Sequence, residues 1–176
     1  MSRYRRSLQS GGSYFFTVVA YQRRSILCDE PIRHALKNAI GIVRKNRPFV
    51  IDAWILLPDH LHCIWTLPDG DADFSSRWRL IKSYVSKACR EQYHRQDLIS
   101  PSKKKHREAT LWQRRFLEHR LRNEDDFAKH VDYIHHNPVK HNLVKTAAAW
   151  PYSTIHRYIN NGHYPSDWAG TEQTRS

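Results

Sequence analysis

The spacing of apolar positions changes several times along the chain, and each change predicts the start of another element. Residues 14–21 are aromatic and β-branched, a composition that suits a half-buried strand. Apolar residues at spacings of three and four then predict a helix over residues 31–45. Two further apolar runs, 49–57 and 60–67, flank the turn Pro58-Asp59, and this arrangement predicts an antiparallel hairpin.

The second half of the chain predicts a long basic helix, a loop, a strand and another helix. Helical spacing runs from 71 to 93, whereas the charged stretch 96–109 has no period and indicates a loop. Residues 110–117 have the composition of a strand. Asn123 is a natural N-cap for a helix that Pro138 is expected to stop, because proline lacks the helical hydrogen-bond donor.

This order of strands and helices predicts an α+β fold, in which helices pack on an antiparallel sheet. The 176 residues suffice for one domain with a hydrophobic core. We expect that domain at residues 14–160, with a flexible basic arm at 1–13 and a polar tail at 161–176.

Basic residues outnumber acidic ones, and the excess is concentrated in one part of the chain. The formal net charge is +12, and residues 71–122 contain 14 Lys or Arg against 6 Asp or Glu. This balance favours a polyanionic partner, with nucleic acid preferred over a membrane surface. Neither a signal peptide nor a membrane-spanning run is evident in the sequence, and three unpaired cysteines fit a reducing cytoplasm.

Two histidines separated by one residue suggest a metal site. On a strand, alternate side chains point to the same face, so His60 and His62 would project together. Leu61, between them, would point into the core with Cys63. Imidazoles suit divalent transition metals such as manganese, and an incomplete ligand set leaves positions for a phosphate oxygen. The pair alone is a weak signal.

A tyrosine and an asparagine on the helix after Asn123 supply the remaining chemistry. Tyr133 and Asn137 are four residues apart and share one helix face. A phenol becomes an effective nucleophile beside a phosphate that a metal ion polarises, and Asn137 is a candidate third ligand. Because the chain has nine tyrosines, spacing alone does not select Tyr133.

Four runs of residues, in this order and spacing, resemble the REP-associated tyrosine transposases. They are Leu57-Pro58-Asp59-His60-Leu61-His62, the run from Leu111 to Arg120, the run Tyr133-Ile134-His135-His136-Asn137-Pro138-Val139-Lys140-His141, and Trp150-Pro151-Tyr152-Ser153-Thr154. The resemblance covers roughly Tyr14 to Tyr158, and the combination is specific where each run alone is not. That family is related to the single-tyrosine transposases of small bacterial insertion sequences, which are HUH endonucleases.

The resemblance implies an HUH endonuclease fold with a ferredoxin-like core and assigns roles to four residues. By resemblance, His60 and His62 bind Mg²⁺ or Mn²⁺, and Tyr133 attacks the scissile phosphate of single-stranded DNA. The products would be a 5′-phosphotyrosine link and a free 3′-hydroxyl. Asn137 would help to hold the metal, directly or through water, since the insertion-sequence relatives usually carry the longer glutamine there.

The resemblance also implies a substrate: the hairpins of repetitive extragenic palindromes, each beside a short single-stranded tetranucleotide. The predicted DNA contacts, which would neutralise phosphates, are Arg3, Arg5, Arg6, Arg77, Lys82, Lys87, Arg114 and Arg115. We expect a nucleoid-associated protein of the bacterial cytoplasm, without membrane contact, and a monomer rather than the homodimer of the insertion-sequence relatives. The alternative is a regulatory module that binds DNA or RNA hairpins without cutting them.

Overall fold

The computed structural model describes residues 11–168. Its strands and helices, in chain order, are β1 (Ser13–Val19), α1 (Glu30–Asn46), β2 (Val50–Leu56), β3 (His60–Thr66), α2 (Phe74–Ala88), α3 (Arg90–Tyr93), α4 (Pro101–His106), β4 (Leu117–Arg120), α5 (Glu124–Lys140) and α6 (Ile155–Asn160). Short 3-10 turns lie at 21–23, 96–98 and 147–149.

The four strands form one antiparallel sheet in the order β2-β3-β1-β4. β1 lies in the interior of the sheet and pairs with β3 on one side and β4 on the other. The succession strand, helix, strand, strand, helix, strand with this order is the ferredoxin-like arrangement. The predicted α+β fold is therefore confirmed.

Alternate residues along the strands feed two separate cores, one on each face of the sheet. The first core packs against α1 and α2 and contains Phe16, Trp65 and Trp78. The indole rings of the two tryptophans stack with their centroids 4.2 Å apart. The second core packs against α5 and α6 and contains Phe15 and Ile64. Neighbours in sequence thus serve opposite faces, as the period of a strand requires.

The structure corrects two predictions between residues 96 and 120. The stretch 96–109 contains α4, which begins with Pro101 after Ser100, whose hydroxyl accepts a hydrogen bond from the Lys103 amide at 3.2 Å. These are ordinary helix-start signals, hidden in the sequence by a run of charge. The strand predicted at 110–117 is also wrong, because β4 begins only at Leu117 and the preceding residues meet the sheet through one bridge, Ala20 to Trp112.

Pro138 does not stop its helix, contrary to prediction, since α5 continues to Lys140. A proline removes one backbone donor, and here the residue that loses a partner is Ile134, close to the end of the helix. Pro138 is itself buried, and its carbonyl accepts from the amide of Leu143 at 2.9 Å. The cost of one missing hydrogen bond is small when only two helical residues follow the proline.

The segment from 150 to 158 covers the outer edge of β2. The Trp54 amide donates to the Thr154 hydroxyl at 2.9 Å, and the Trp54 carbonyl accepts from the Thr154 amide at 2.9 Å. The Leu56 amide donates to the Tyr152 carbonyl at 2.9 Å. This edge of the sheet therefore has its hydrogen-bonding groups satisfied from within the chain.

Residues 161–168, the described part of the predicted polar tail, pack on α5. Tyr164 is buried in the second core, and its hydroxyl donates to the Asp132 carboxylate at 2.6 Å. The Trp168 ring stacks on Tyr164 at 4.2 Å. Packed structure therefore extends beyond residue 160.

Candidate active site

The two histidines of β3 lie side by side in the sheet face that α5 covers. His60 and His62 are 8% and 4% exposed, and their ring centroids are 4.8 Å apart. The residues of β3 between and after them, Leu61 and Cys63, lie in the opposite core. The prediction that the two imidazoles share a face is confirmed.

Each imidazole is oriented by an oxygen next to its Nδ1 atom. His60 Nδ1 lies 2.6 Å from a carboxylate oxygen of Asp59, and His62 Nδ1 lies 2.8 Å from the Thr17 hydroxyl. A carboxylate accepts, so His60 Nδ1 donates and its Nε2 keeps the lone pair that a metal ion would use. Such orienting partners are typical of metal-binding histidines. Sequence analysis did not identify Asp59 or Thr17 in this role.

Tyr133 joins the same site from α5. Its ring centroid is 5.2 Å from that of His62, edge to face, and its side chain is 40% exposed. The Lys140 ammonium lies 5.2 Å from the Tyr133 ring centroid, on the same face of α5 and two turns further along. The structure thus brings the helix face of Tyr133 against the strand face of the histidines.

Asn137 is fully buried on α5, one helical turn after Tyr133. Its amide nitrogen donates to the Tyr133 carbonyl at 3.2 Å, but its Oδ1 atom is buried and has no hydrogen-bond partner within the described chain. A buried carbonyl oxygen without a partner is uncommon and costly. Two imidazoles and an amide oxygen that lacks a partner fit a divalent cation.

Burial and positive neighbours control the charge of the site. Burial, followed by the charges of His60, His141 and Lys140, lowers the pKa of His62 to about 3. Burial also lowers the pKa of His141, whose ring lies 5.6 Å from His60. His62 is therefore neutral near pH 7, the form that binds metals. Sequence reasoning did not single out Lys140 or His141.

Arg77 is not a DNA contact, contrary to prediction. Only 2% of this residue is exposed, and its guanidinium donates to the Asp71 carboxylate at 2.7 and 3.1 Å and to the Pro48 carbonyl at 2.9 Å. All of its guanidinium nitrogens donate to acceptors inside the protein, so it has no donors to offer a phosphate. The structure makes it an anchor between α2 and the loop before β2.

Three other predicted DNA contacts line one basic groove. The groove has a volume of about 670 Å³, lies between α2, α4 and residues 108–116, and includes Lys82, Lys87 and Arg114. Further cations in its wall, which sequence analysis did not assign, are Arg79, Arg90, Lys103 and Arg107. Arg115 is exposed but outside the groove lining. Arg3, Arg5 and Arg6 lie outside the described residues.

Lys82 is the most enclosed of the predicted contacts in the groove. Its ammonium donates to the Gln113 carbonyl at 2.9 Å and lies 5.3 Å from the Phe116 ring centroid. Burial, and then the charge of Lys103, lowers the pKa of Lys82 to about 8. The groove lies on the α2 side of the sheet, opposite the histidines.

Comparison with known proteins identifies the family. Residues 9–137 match the family model described as IS200-like transposase. The chain belongs to this family. A REP-associated tyrosine transposase of Escherichia coli is 48% identical over 170 residues, which cover 97% of this chain and 92% of the relative. A Haemophilus influenzae relative is 39% identical over 177 residues, covering 97% of this chain and 94% of its own.

A solved structure agrees with this assignment. A REP-associated tyrosine transposase bound to a REP hairpin superimposes with a TM-score of 0.77 at 46% identity, covering 100% of this chain and 96% of that chain. The chain is therefore a transposase with the HUH fold, a class of DNA-cleaving enzymes that use a divalent metal. Across residues 11–168, no helix is both long enough and apolar enough to cross a membrane.

Proposed function

We propose that this transposase cuts single-stranded DNA beside REP-type hairpins with Tyr133 as its nucleophile. The observation that carries the proposal is the position of the Tyr133 ring, 5.2 Å from His62 and one helical turn before Asn137, whose buried amide oxygen lacks a partner within the described residues. The side chain of Tyr133 is 40% exposed, so a DNA strand can reach it. The relative with a solved structure is described as bound to a REP hairpin.

The proposed reaction uses the residues of the site in distinct roles. His60, His62 and Asn137 would hold Mg²⁺ or Mn²⁺, which supplies polarisation of the scissile phosphate when bound. The Tyr133 hydroxyl attacks phosphorus and loses its proton, the bond from phosphorus to the 3′ oxygen breaks, and that oxygen leaves as a hydroxyl. The 5′ end stays on Tyr133 as a phosphotyrosine. Lys140, beside the Tyr133 ring, would stabilise the negative charge that develops there.

We assign the hairpin stem to the basic groove. Its cations would neutralise phosphates of the stem. Because the groove and Tyr133 lie on opposite faces of the sheet, the single-stranded DNA would pass around the short edge strand β4 to reach Tyr133. Arg115, exposed just before β4, would contact the strand on that route. The basic arm with Arg3, Arg5 and Arg6 would add phosphate contacts. Binding to chromosomal hairpins would place the protein with the nucleoid in the bacterial cytoplasm.

We propose that the chain works as a monomer. The supporting observation is the covered edge of β2, where Tyr152 and Thr154 occupy backbone groups that a second sheet would need. Sedimentation velocity should give one species near 21.0 kDa. A stable species of twice that mass, retained at micromolar concentration without DNA, would contradict the proposal.

The decisive experiment on the reaction compares two tyrosines of equal exposure. Purified protein with Mn²⁺ is incubated with a single-stranded REP hairpin oligonucleotide, and covalent protein–DNA adducts are resolved on a denaturing gel. Wild type and Tyr84→Phe should form the adduct, because Tyr84 is 41% exposed but lies on α2. Tyr133→Phe should bind the hairpin and form none.

Two results would overturn the proposal. An adduct formed by Tyr133→Phe would show that another residue is the nucleophile. Hairpin binding by wild type without any adduct, on every hairpin tested, would favour the regulatory module that binds without cutting.

Lys87→Ala tests the groove. Its affinity for the hairpin should fall, and the slope of log affinity against log salt concentration should decrease by about 1. Lys45→Ala on α1 should match wild type in both.

A further inference from the structure

A second group of metal-binding side chains connects β4 to α5. It consists of His119 on β4 and of Asp126 and His130 on α5, and we call it the β4–α5 cluster. One ligand atom from each residue lies within 4.8 Å of the other two. His119 Nε2 is 3.0 Å from one Asp126 carboxylate oxygen, and His130 Nδ1 is 3.3 Å from the other.

The β4–α5 cluster is separate from the site of His60 and His62. The Phe15 ring lies between the two groups, with its centroid 4.8 Å from that of His130 and 5.4 Å from that of His62. None of the three cluster residues belongs to the proposed active site. An ion in the cluster would therefore be additional to the one that cleavage requires.

The spacing of the cluster atoms suits a transition-metal ion. Zinc sites have bonds of about 2.0–2.2 Å to nitrogen and oxygen, which puts neighbouring tetrahedral ligands about 3.3 Å apart. The two histidine nitrogens lie 3.0 and 3.3 Å from different oxygens of the Asp126 carboxylate, so each histidine is already about this far from a ligand atom of Asp126. His130 Nδ1 also donates to the Asp126 backbone carbonyl at 2.7 Å. An ion would therefore displace this proton and the one between His119 and Asp126, and the two imidazoles would turn towards the ion.

The chemistry of the ligand set also selects the type of metal. Two imidazoles and one carboxylate favour Zn²⁺ and its neighbours, whereas Mg²⁺ and Ca²⁺ prefer oxygen ligands alone. Burial raises the pKa of Asp126, but hydrogen bonds from the Arg122 amide and the His119 side chain outweigh it and lower the pKa to about 2. The Asp126 carboxylate is thus ionised in the folded protein at neutral pH.

We propose that His119, Asp126 and His130 bind a divalent transition-metal ion of the Zn²⁺ type, as a second metal site. Its effect would be mechanical, because it connects the edge strand β4 to the helix that carries Tyr133. His130 precedes Tyr133 by less than one helical turn, so the ion would fix the start of the segment that presents the nucleophile. The proposal stands whether or not Tyr133 is that nucleophile.

The experiment counts bound ions in five proteins. Equilibrium dialysis with Zn²⁺ should give two ions for wild type, one for the double variant His60→Ala, His62→Ala, one for His119→Gln, His130→Gln, and none for the four combined substitutions. His34→Gln, an exposed histidine on α1, should keep two. Glutamine at 119 retains a donor for Asp126, which preserves folding, and circular dichroism checks this.

A spectroscopic probe locates the second ion independently. Co²⁺ added to His60→Ala, His62→Ala should give the visible absorption of a site with fewer than six ligands, and either His119→Gln or His130→Gln alone should remove it. Zn²⁺ should also raise the Tm of the His60→Ala, His62→Ala variant by several degrees. The proposal is overturned if that variant binds no Zn²⁺, or if folded His119→Gln, His130→Gln binds as many ions as wild type.

Discussion

The Tyr133 phenol and the His62 imidazole meet edge to face at 5.2 Å, one from α5 and the other from β3. Phe15 of β1 contacts both, with ring centroids 5.9 Å from Tyr133 and 5.4 Å from His62. Phe15 is 6% exposed, so it is a packed support for the two rings. The position of Tyr133, the proposed nucleophile, relative to the histidines therefore depends on a residue that has no chemistry of its own.

Phe15→Leu should impair cleavage more than it impairs folding. The loss of ring contacts should lower the free energy of unfolding by about 1–2 kcal/mol and let the Tyr133 ring shift, which should slow adduct formation about tenfold or more. Phe16→Leu is the matched control, because Phe16 is buried in the other core. It should lose similar stability in urea denaturation and keep the wild-type rate. Equal rates for the two variants would remove Phe15 from the positioning of Tyr133.

Asn137→Leu should separate the stability of the protein from its response to metal. The substitution removes a buried oxygen that has no hydrogen-bond partner, so the Tm without metal should stay equal or rise. If Asn137 is a metal ligand, the increase in Tm that Mn²⁺ causes in wild type should fall to less than half. Differential scanning calorimetry with and without Mn²⁺ measures both effects. An unchanged response to Mn²⁺ would exclude Asn137 from the ligand set.

The grouping of the candidate site residues into two pairs could be predicted because it depends on local periods. Alternation on a strand places His60 beside His62, and the turn of a helix places Tyr133 beside Asn137, whatever the rest of the fold does. Joining the two faces needed the tertiary arrangement, which only the family resemblance supplied at the level of sequence. Thr17 was not identified because its contact with His62 depends on the β1–β3 register.

The basic residues could not be sorted by sequence because burial depends on the surrounding turns. Arg77 and Arg79 are two positions apart on α2, yet only Arg77 meets Asp71 and the Pro48 carbonyl. A count of charges treats both as solvent-exposed cations. For the same reason, the sequence could not show that Lys103 is buried. Its ammonium donates to the Trp112 carbonyl at 3.1 Å.

Arg77→Ala should mainly reduce stability, whereas Arg79→Ala should mainly weaken hairpin binding. Removal of Arg77 leaves Asp71 and several carbonyls without their donor, and should lower the free energy of unfolding by about 3 kcal/mol while the folded protein binds hairpins normally. Arg79 is exposed in the basic groove, so its loss should change stability by less than about 0.5 kcal/mol and weaken hairpin binding. Urea titration and fluorescence anisotropy measure the two quantities. Weaker binding by folded Arg77→Ala would restore it as a DNA contact.

Hairpin affinity should fall as the pH rises from 7 to 9, because Lys82 loses its charge in this range. Its pKa of about 8 means that about nine-tenths of the free protein carries neutral Lys82 at pH 9, and only the ammonium attracts a phosphate. Binding at high pH would then require proton uptake. Lys82→Arg keeps the charge at every pH tested and should show a flatter profile.

The lowered pKa of Lys82 also makes the free energy of unfolding depend on pH. This free energy should rise with pH, whereas hairpin affinity should fall. Between about pH 8 and the ordinary lysine value of 10.5, the unfolded chain holds a proton on Lys82 that the native state has released. The free energy of unfolding therefore gains a contribution that rises with pH across this window, and Lys82→Arg should lack it. Neighbouring Lys103, Glu108 and Arg114 are present in both proteins, so subtraction of the two profiles isolates Lys82. Parallel pH profiles of wild type and Lys82→Arg, in both affinity and stability, would show that Lys82 remains charged throughout.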